Sequence, residues 1–439
     1  LALTELRAKV MERAEAYLDD VVRFLRDLIR IQSRSGQEGE AMRRIEREMK
    51  ALGLANVGID PIGNVVGWVG SGPYRILYDS HIDTVGVGDE AAWPHDPYEG
   101  KFENGIVYGR GASDNKAAIA CMVYAGKIMM ELGLGAGASL CIAGVVQEED
   151  CDGWAVGEAI ARGFFGERPH CVVLGECTNL GINRGHRGRC EILVTARGVS
   201  CHASAPSRGV NAIYRMLPVV EGIRRLEAEV ADDPFLGPGT IAVTKIESVS
   251  GSLNVVPDLC RAVVDRRMTL GETAAQAMED IRRASREALA GVAGVDAGAG
   301  AAGDTGGSGG SGDAIQVELL RYTERSWTGY QADVEKDYPT WVLEEDHPVV
   351  QAGVEAARIV LGREPAIGRW DFSTDGVATM GRHKIPTIGF GPSEERFAHT
   401  VQDQVRVEHL VAATAFYAIF PDVAARMAGD AGSGAKADR

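Results

Sequence analysis

Between residues 60 and 190, short apolar runs alternate with stretches of helical period, and this alternation narrows the possible folds more than any other feature of the chain. NVVGWVG (64–70), YRILYDSH (74–81), LCIAGVVQ (140–147) and HCVVLGE (170–176) have the length and apolar content of buried strands. NKAAIACMVYAGKIMMELG (115–133) and the shorter GWAVGEAIARG (153–163) read as helices with an apolar face packed on a sheet. Strands alternating with helices predict an α/β domain: a mixed, mostly parallel sheet with flanking helices.

From about residue 189 the order changes. RCEILVTARG, a helix near 210–230, TIAVTKIESV, LCRAVVDRRM, a helix near 272–290 and AIQVELLRYT run strand-helix-strand-strand-helix-strand. That order predicts a compact α+β unit with its own antiparallel sheet. The Gly/Ala/Ser-rich segment 291–312 is expected to be a flexible surface loop. Helix and strand patterns resume from about 345. The predicted organisation is therefore a discontinuous α/β domain, 1–188 and 341–425, interrupted by an inserted α+β domain, 189–340. The low-complexity tail 426–439 is expected to be disordered.

Charge bounds the partners. The 439 residues carry a formal net charge of -16, and the basic residues are scattered rather than clustered. This argues against nucleic acid or an anionic membrane as the main partner. The first 32 residues carry charges throughout at helical spacing, unlike a signal peptide or a membrane span. The eight cysteines, among them Cys121, Cys141, Cys171 and Cys190, lack the paired short spacings of a zinc ribbon. They read as reduced, buried thiols, and a cytoplasmic location is expected.

Polar residues gather where the apolar runs stop. YRILYDSH ends on His81, with Asp83 just beyond it; GVVQEED ends with Glu148 and Glu149; VVLGECTN ends with Glu176. Asp114 stands where a helix begins, and His399 lies in the loop after IPTIGFG. Ligand sites of open parallel sheets lie beyond the carboxyl ends of the strands. Each fragment alone has an ordinary explanation: a surface His-Asp pair, an N-cap aspartate, a solvated pair of glutamates, a loop histidine. Their convergence on one sheet edge is much harder to explain that way. Imidazole and carboxylate together suit a pair of divalent ions, zinc or else cobalt or manganese. Two ions about 3.5–4 Å apart can share a carboxylate, polarise a carbonyl and generate hydroxide, and an unligated carboxylate beside that water takes its proton. The rival reading, a nucleotide-driven protein holding magnesium on the acidic strand end, needs a phosphate loop. Only AGKIM (125–129) approaches one, inside a helix and without the hydroxyl residue.

SHIDTV, WPHDPYEGKFENGIVYGRGASDNKA, VVQEED, GVSCHASAPSRGVNAI, NVVPD and FAHT succeed one another in the order of a known family. Over roughly residues 15–420 the chain resembles the dinuclear-zinc aminoacylase/carboxypeptidase metallopeptidases. These include acetylornithine deacetylase, succinyl-diaminopimelate desuccinylase, glutamate carboxypeptidase and peptidase T. VQEEDCDG and FSTDGVATMGRHKIPTIGFGP are most similar to its branch of bacterial selenium-metabolism-linked hydrolases. The resemblance implies a zinc-exopeptidase-like catalytic domain with a lid/dimerisation domain inserted. It implies that His81 and Glu176 bind one metal, Glu149 and His399 the other, and that Asp114 bridges them. Asp83 would hydrogen-bond the far nitrogen of His81. Glu148 would be the general base. In the lid, His202 matches the histidine that stabilises the oxyanion, while Asn254 and Arg267 match positions that hold the substrate carboxylate or the oxyanion.

Two positions depart from the pattern: Ala117 replaces the usual glycine after D-x-K, and Asp403 replaces the common glutamate four residues past His399. Both are expected to tune packing or specificity. Asp114 places the chain outside the branch with a cysteine at the bridging position. The resemblance thus implies a homodimeric two-metal hydrolase that cleaves an N-acyl or peptide amide of a small anionic amino-acid derivative. An N-carbamoyl amino acid amidohydrolase and a non-catalytic metal-binding relative are the alternatives. The intact Glu148 and His202 argue against the latter.

Overall fold

The computed structural model describes residues 3–290 and 314–437. The chain divides into two compact units, one formed by Leu1–His186, Thr323–Asp333 and Trp341–Arg439, the other by Arg187–Tyr322 and Val334–Thr340. The inserted unit thus begins two residues before the expected boundary, and 323–333 returns to the first unit instead of staying in the insertion. Trp327 explains that return. Its indole Nε1 donates to the Gly63 carbonyl at 3.1 Å, and its ring fills the space that a Cβ on Gly39 or Gly63 would need.

The first unit is built on a nine-stranded sheet. From one edge the order is Ala55–Ile59, Val65–Gly70, Ala138–Val145, Tyr74–His81, Cys171–Leu174, Thr387–Gly389, Ile182–His186 and Trp341–Val342, with Ile367–Trp370 pairing to Ile182–His186 off this path. The strands from Ala138–Val145 to Thr387–Gly389 are mutually parallel. Towards both edges the pairings turn antiparallel, the Ile367–Trp370 pairing excepted, so the sheet is mixed around a parallel centre. Burial accounts for the arrangement. Tyr74–His81 is buried at every residue from Ile76 onward, as parallel strands covered on both faces require.

The helix Lys116–Leu132 buries thirteen of its residues and packs on Tyr74–His81 and Ala138–Val145. It stops at Gly133, whose left-handed φ of 64° lets its N–H return to the Met129 carbonyl. The last helix, Val407–Ala437, runs through the segment expected to be disordered from 426. Its stem is held by fully buried Phe416, Tyr417 and Phe420, and extending an existing helix costs only about 1 kcal/mol per glycine. Val407–Gly429 is long and apolar enough to cross a membrane, but 72% of its most apolar window is buried inside the protein. It is a core helix. The glycine-rich segment 291–312 lies outside the described residues.

The second unit has the predicted strand-helix-strand-strand-helix-strand order. Its antiparallel sheet runs Thr240–Val249, Leu259–Met268, Gly188–Arg197, Ile315–Leu319, and Asp337–Tyr338 also pairs with Gly188–Arg197. Alternate residues of Leu259–Met268 are buried, the period of a sheet covered on one face. The helices Ala212–Arg225 and Ala274–Ala290 supply that cover, with Met216, Val219 and Ile281 packing on Ile192, Val194, Ala262 and Val264.

Candidate metal centre

His81 closes the strand Tyr74–His81. Glu176 lies two residues past Cys171–Leu174, and Glu148 and Glu149 lie three and four past Ala138–Val145. Asp114 stands two residues ahead of the helix Lys116–Leu132, and His399 comes just after the short turn Glu395–Phe397. Parallel strands carry their chain ends to one edge, so these residues meet although up to 318 positions separate them.

Asp114 faces two imidazoles at once. Its Oδ1 lies 2.9 Å from His81 Nε2, and its Oδ2 lies 3.3 Å from His399 Nε2. Glu149 Oε2 lies 2.9 Å from His399 Nε2, and Glu176 Oε1 lies 3.4 Å from His81 Nε2. Ligand atoms of His81, Asp114 and Glu149 all lie within 4.8 Å of one another. Glu148 stays outside both pairings, 3.9 Å from His81 Nε2.

The second nitrogen of His81 settles its tautomer. Nδ1 lies 3.0 Å from the Asp83 main-chain carbonyl, an acceptor only, so Nδ1 keeps a proton in either charge state and Nε2 is the nitrogen left to bind an ion once it gives up its own. The Asp83 side chain lies farther from that nitrogen than its own carbonyl does. Its carboxylate is 3.6 Å from Nδ1 and accepts instead from Ser35 Oγ at 2.6 Å and from the main-chain N–H groups of Glu148 and Glu149 at 3.1 Å each.

The adjacent glutamates leave from a turn beyond the strand. The strand has ended at Val145, and Gln147 takes a left-handed φ of 56°, unusual for a residue with a Cβ. Glu38 holds that turn: its Oε1 accepts from Gly36 N at 2.9 Å and Gln147 N at 3.1 Å. Burial, reinforced by Asp83, pushes the Glu38 carboxyl up to about 8. Sequence reasoning passed over Ser35, Glu38 and Gln147. No local signal marks them, because their partners lie 48 (Ser35 to Asp83) and 109 (Glu38 to Gln147) positions along the chain.

Electrostatically the site has an excess of acid. Burial, with His81 pulling the other way and Asp152, Glu176 and Asp375 adding to it, pushes Glu148 well above the ordinary carboxylate range. Burial likewise raises Glu176 to about 8. Burial would raise Asp114 too, but hydrogen bonds from His399 and His81 hold it below its usual value. Hydrogen bonds to Asp114 and then Glu149 lift His399 to about 10. Burial disfavours a charged His81, yet Glu176, Glu148 and Asp114 together push it well above 6.5. The imidazoles thus take up protons where the carboxylates need positive charge. Glu176 Oε2 is buried without a hydrogen-bond partner. A set of two imidazoles and several carboxylates, with an orphaned buried oxygen and no thiolate, fits a divalent cation with nitrogen and oxygen preference.

The residues singled out in the insertion all lie in the second unit. His202 and Asn254 are neighbours there: His202 bridges to Val255, and Ala203 N donates to the Asn254 carbonyl at 2.8 Å. Ser204 N–H donates to His202 Nδ1 at 3.1 Å, so the proton of a neutral His202 sits on Nε2, and the ring is exposed. Arg267 is forked onto Asp265 of its own strand, at 2.8 and 3.3 Å.

A mixed α/β sheet that gathers histidines and carboxylates beyond its strand ends defines a class: metal-dependent enzymes. Comparison with known proteins makes the class specific. The chain belongs to Peptidase family M20/M25/M40, whose model matches residues 77–421. It is 42% identical over 412 residues to the uncharacterized protein YgeY of Escherichia coli (strain K12), spanning 94% of this chain and 96% of that one. It is 32% identical over 285 residues to a succinyl-diaminopimelate desuccinylase of Cereibacter sphaeroides (strain ATCC 17025 / ATH 2.4.3), spanning 62% and 73%. Among solved structures, the M20 family metallo-carboxypeptidase Sso-CP2 from Sulfolobus solfataricus superposes with a TM-score of 0.70 at 15% identity, spanning 92% of this chain and 99% of that one. The protein is therefore a metal-dependent hydrolase of amide or peptide bonds in amino-acid derivatives.

Proposed function

We propose that the protein is a two-metal deacylase or dipeptidase that cleaves an amide next to a carboxylate in a small, anionic, amino-acid-derived substrate. The observation that carries this reading is Asp114, whose two oxygens face two imidazoles, each with a further carboxylate beside it. His81 and Glu176 would hold one ion, His399 and Glu149 the other, with Asp114 shared. Zinc suits the donors best, and cobalt or manganese are also compatible. When bound, the ions polarise the scissile carbonyl and acidify a water molecule.

The remaining work belongs to the chain. Glu148 takes the proton from the water and returns it to the leaving amine, a role suited to a carboxyl that burial holds well above its ordinary range. Asp83 holds Glu148 and Glu149 in place through their main-chain N–H groups. His202 would be the donor for the tetrahedral oxyanion, and Asn254 and Arg267 would hold the substrate carboxylate or the oxyanion.

Dimerisation through the inserted unit is part of the proposal. The strand Thr240–Val249 is a sheet edge exposing Ile246 and Val249, and the helix Ala212–Arg225 exposes Tyr214 and Leu217. A cytoplasmic location is supported by eight free cysteines, seven of them buried.

The test is a panel of N-acyl amino acids, dipeptides and N-carbamoyl amino acids, offered to protein loaded with zinc, cobalt or manganese. Cleavage of one acyl or dipeptide class, abolished by chelation and restored by metal, is the expected result. Cleavage of N-carbamoyl substrates alone would move the enzyme to the ureido class. No turnover with two ions bound would overturn the proposal.

A further inference from the structure

We propose that Asp403 is a positioning residue that locks the loop of the bridging carboxylate to the loop of His399, and so holds open the second ion's site. The inference rests on the two-ion reading above.

Asp403 lies four residues beyond His399, and its side chain is fully buried. It accepts four hydrogen bonds. Arg110 Nη1 and Gly111 N reach Oδ2 at 3.0 and 2.8 Å, while Ser113 N and Ser113 Oγ reach Oδ1 at 2.8 and 2.6 Å. A carboxylate offers about four lone-pair sites, so the group is saturated. All four donors come from the residues just ahead of Asp114. The main chain repeats the tie: Gly109 N donates to the Asp403 carbonyl at 3.0 Å, and Gln404–Arg406 pairs antiparallel with Ile106–Tyr108. Arg110 extends the link, lying over the Trp93 ring at 4.9 Å and reaching the Gly86 carbonyl, in the chain leaving His81, at 3.5 Å.

Asp114 must serve both imidazoles, and the span between its loop and His399 decides whether it does. A ligand displaced by about 1 Å no longer meets the geometry of a metal site. His399 itself stands at a left-handed φ of 59°, a conformation that the surrounding chain must hold in place. Asp403 anchors that chain four residues on. Asn at 403 keeps the shape but turns one acceptor into a donor, and either amide orientation then sets N–H against a main-chain N–H, of Gly111 or of Ser113.

The experiment is a cobalt(II) titration of the full-length metal-free protein, monitored by calorimetry and by visible absorption, comparing wild type, Asp403→Asn and Ser113→Ala. Wild type is expected to take up two ions. Asp403→Asn is expected to keep the ion of His81 and Glu176 within about threefold of wild-type affinity and to bind the ion of His399 and Glu149 at least about tenfold more weakly. Ser113→Ala, which removes one donor of four, is expected to show the same selective loss, smaller, and it stands in should Asp403→Asn not fold. Unchanged affinities in both variants, or equal loss at both sites in step with a lower Tm, would overturn the inference while leaving the two-ion reading intact. Uptake of one ion or none by wild type would overturn that reading and this inference with it.

Discussion

At the scale of single residues, one buried carboxylate sets the direction of two others. Asp83 receives the N–H groups of both Glu148 and Glu149, so their side chains leave a turn whose geometry is held from behind. Glu149 meets His399 at 2.9 Å, whereas Glu148 stays 3.9 Å from His81. The two glutamates should therefore fail differently. Glu148→Gln keeps shape but cannot take a proton; kcat is expected to fall by about 10²–10⁴, with metal content unchanged by elemental analysis. Glu149→Gln is expected to lower the occupancy of one ion. Full activity in the first variant, or full occupancy in the second, would reverse the assignment. The residue types and their positions at strand ends were legible in the chain, and the order of motifs pointed to their roles. The hold on them was not. His81 has its Nδ1 partner in a main-chain carbonyl, and a carbonyl has no residue identity to read.

At the scale of elements, periodicity carried far. Tyr74–His81, Thr240–Val249 and Leu259–Met268 form over the stretches their apolar patterns mark, because period 2 and period 3.6 are local properties of a chain. The partner of each strand was less legible, and the antiparallel margins of the large sheet went unread for that reason. The join between Thr387–Gly389 and its neighbours shows how tertiary packing selects a residue. A Cβ on Gly389 would stand 2.0 Å from Trp370 Cη2, and Trp370 is fully buried with its Nε1 donating to the Cys177 carbonyl at 3.1 Å, next to Glu176. Gly389→Ala is expected to destabilise the protein by about 1–3 kcal/mol through overpacking, read as a lower urea midpoint. An unchanged midpoint would mean that the indole moves freely.

At the scale of the whole molecule, stability, protons and metal are linked. In metal-free protein His399 is lifted to about 10, above the ordinary 6.5 of histidine. A raised imidazole stabilises the fold fully below its unfolded pKa, and the contribution is lost as pH rises through the folded value. Metal binding needs the same nitrogen neutral, and so expels the proton. The rise in Tm on adding zinc is therefore expected to be larger at about pH 8 than at about pH 6, measured by thermal melts at fixed metal concentration. A shift independent of pH would place the metal away from the imidazoles.

The sequence marked the strands and helices between 60 and 176, the strand and helix order from 189 on, and which acids and histidines stand just beyond strand ends. These come from patterns that repeat within a few residues. Tertiary structure alone decided that Asp83 supports the glutamate turn, that Glu38 holds Gln147, that residues 323–333 belong to the first unit, and that Asp403 ties two ligand loops together. Those outcomes depend on hydrogen bonds between residues as far as 293 positions apart, and no local period encodes a contact across that distance.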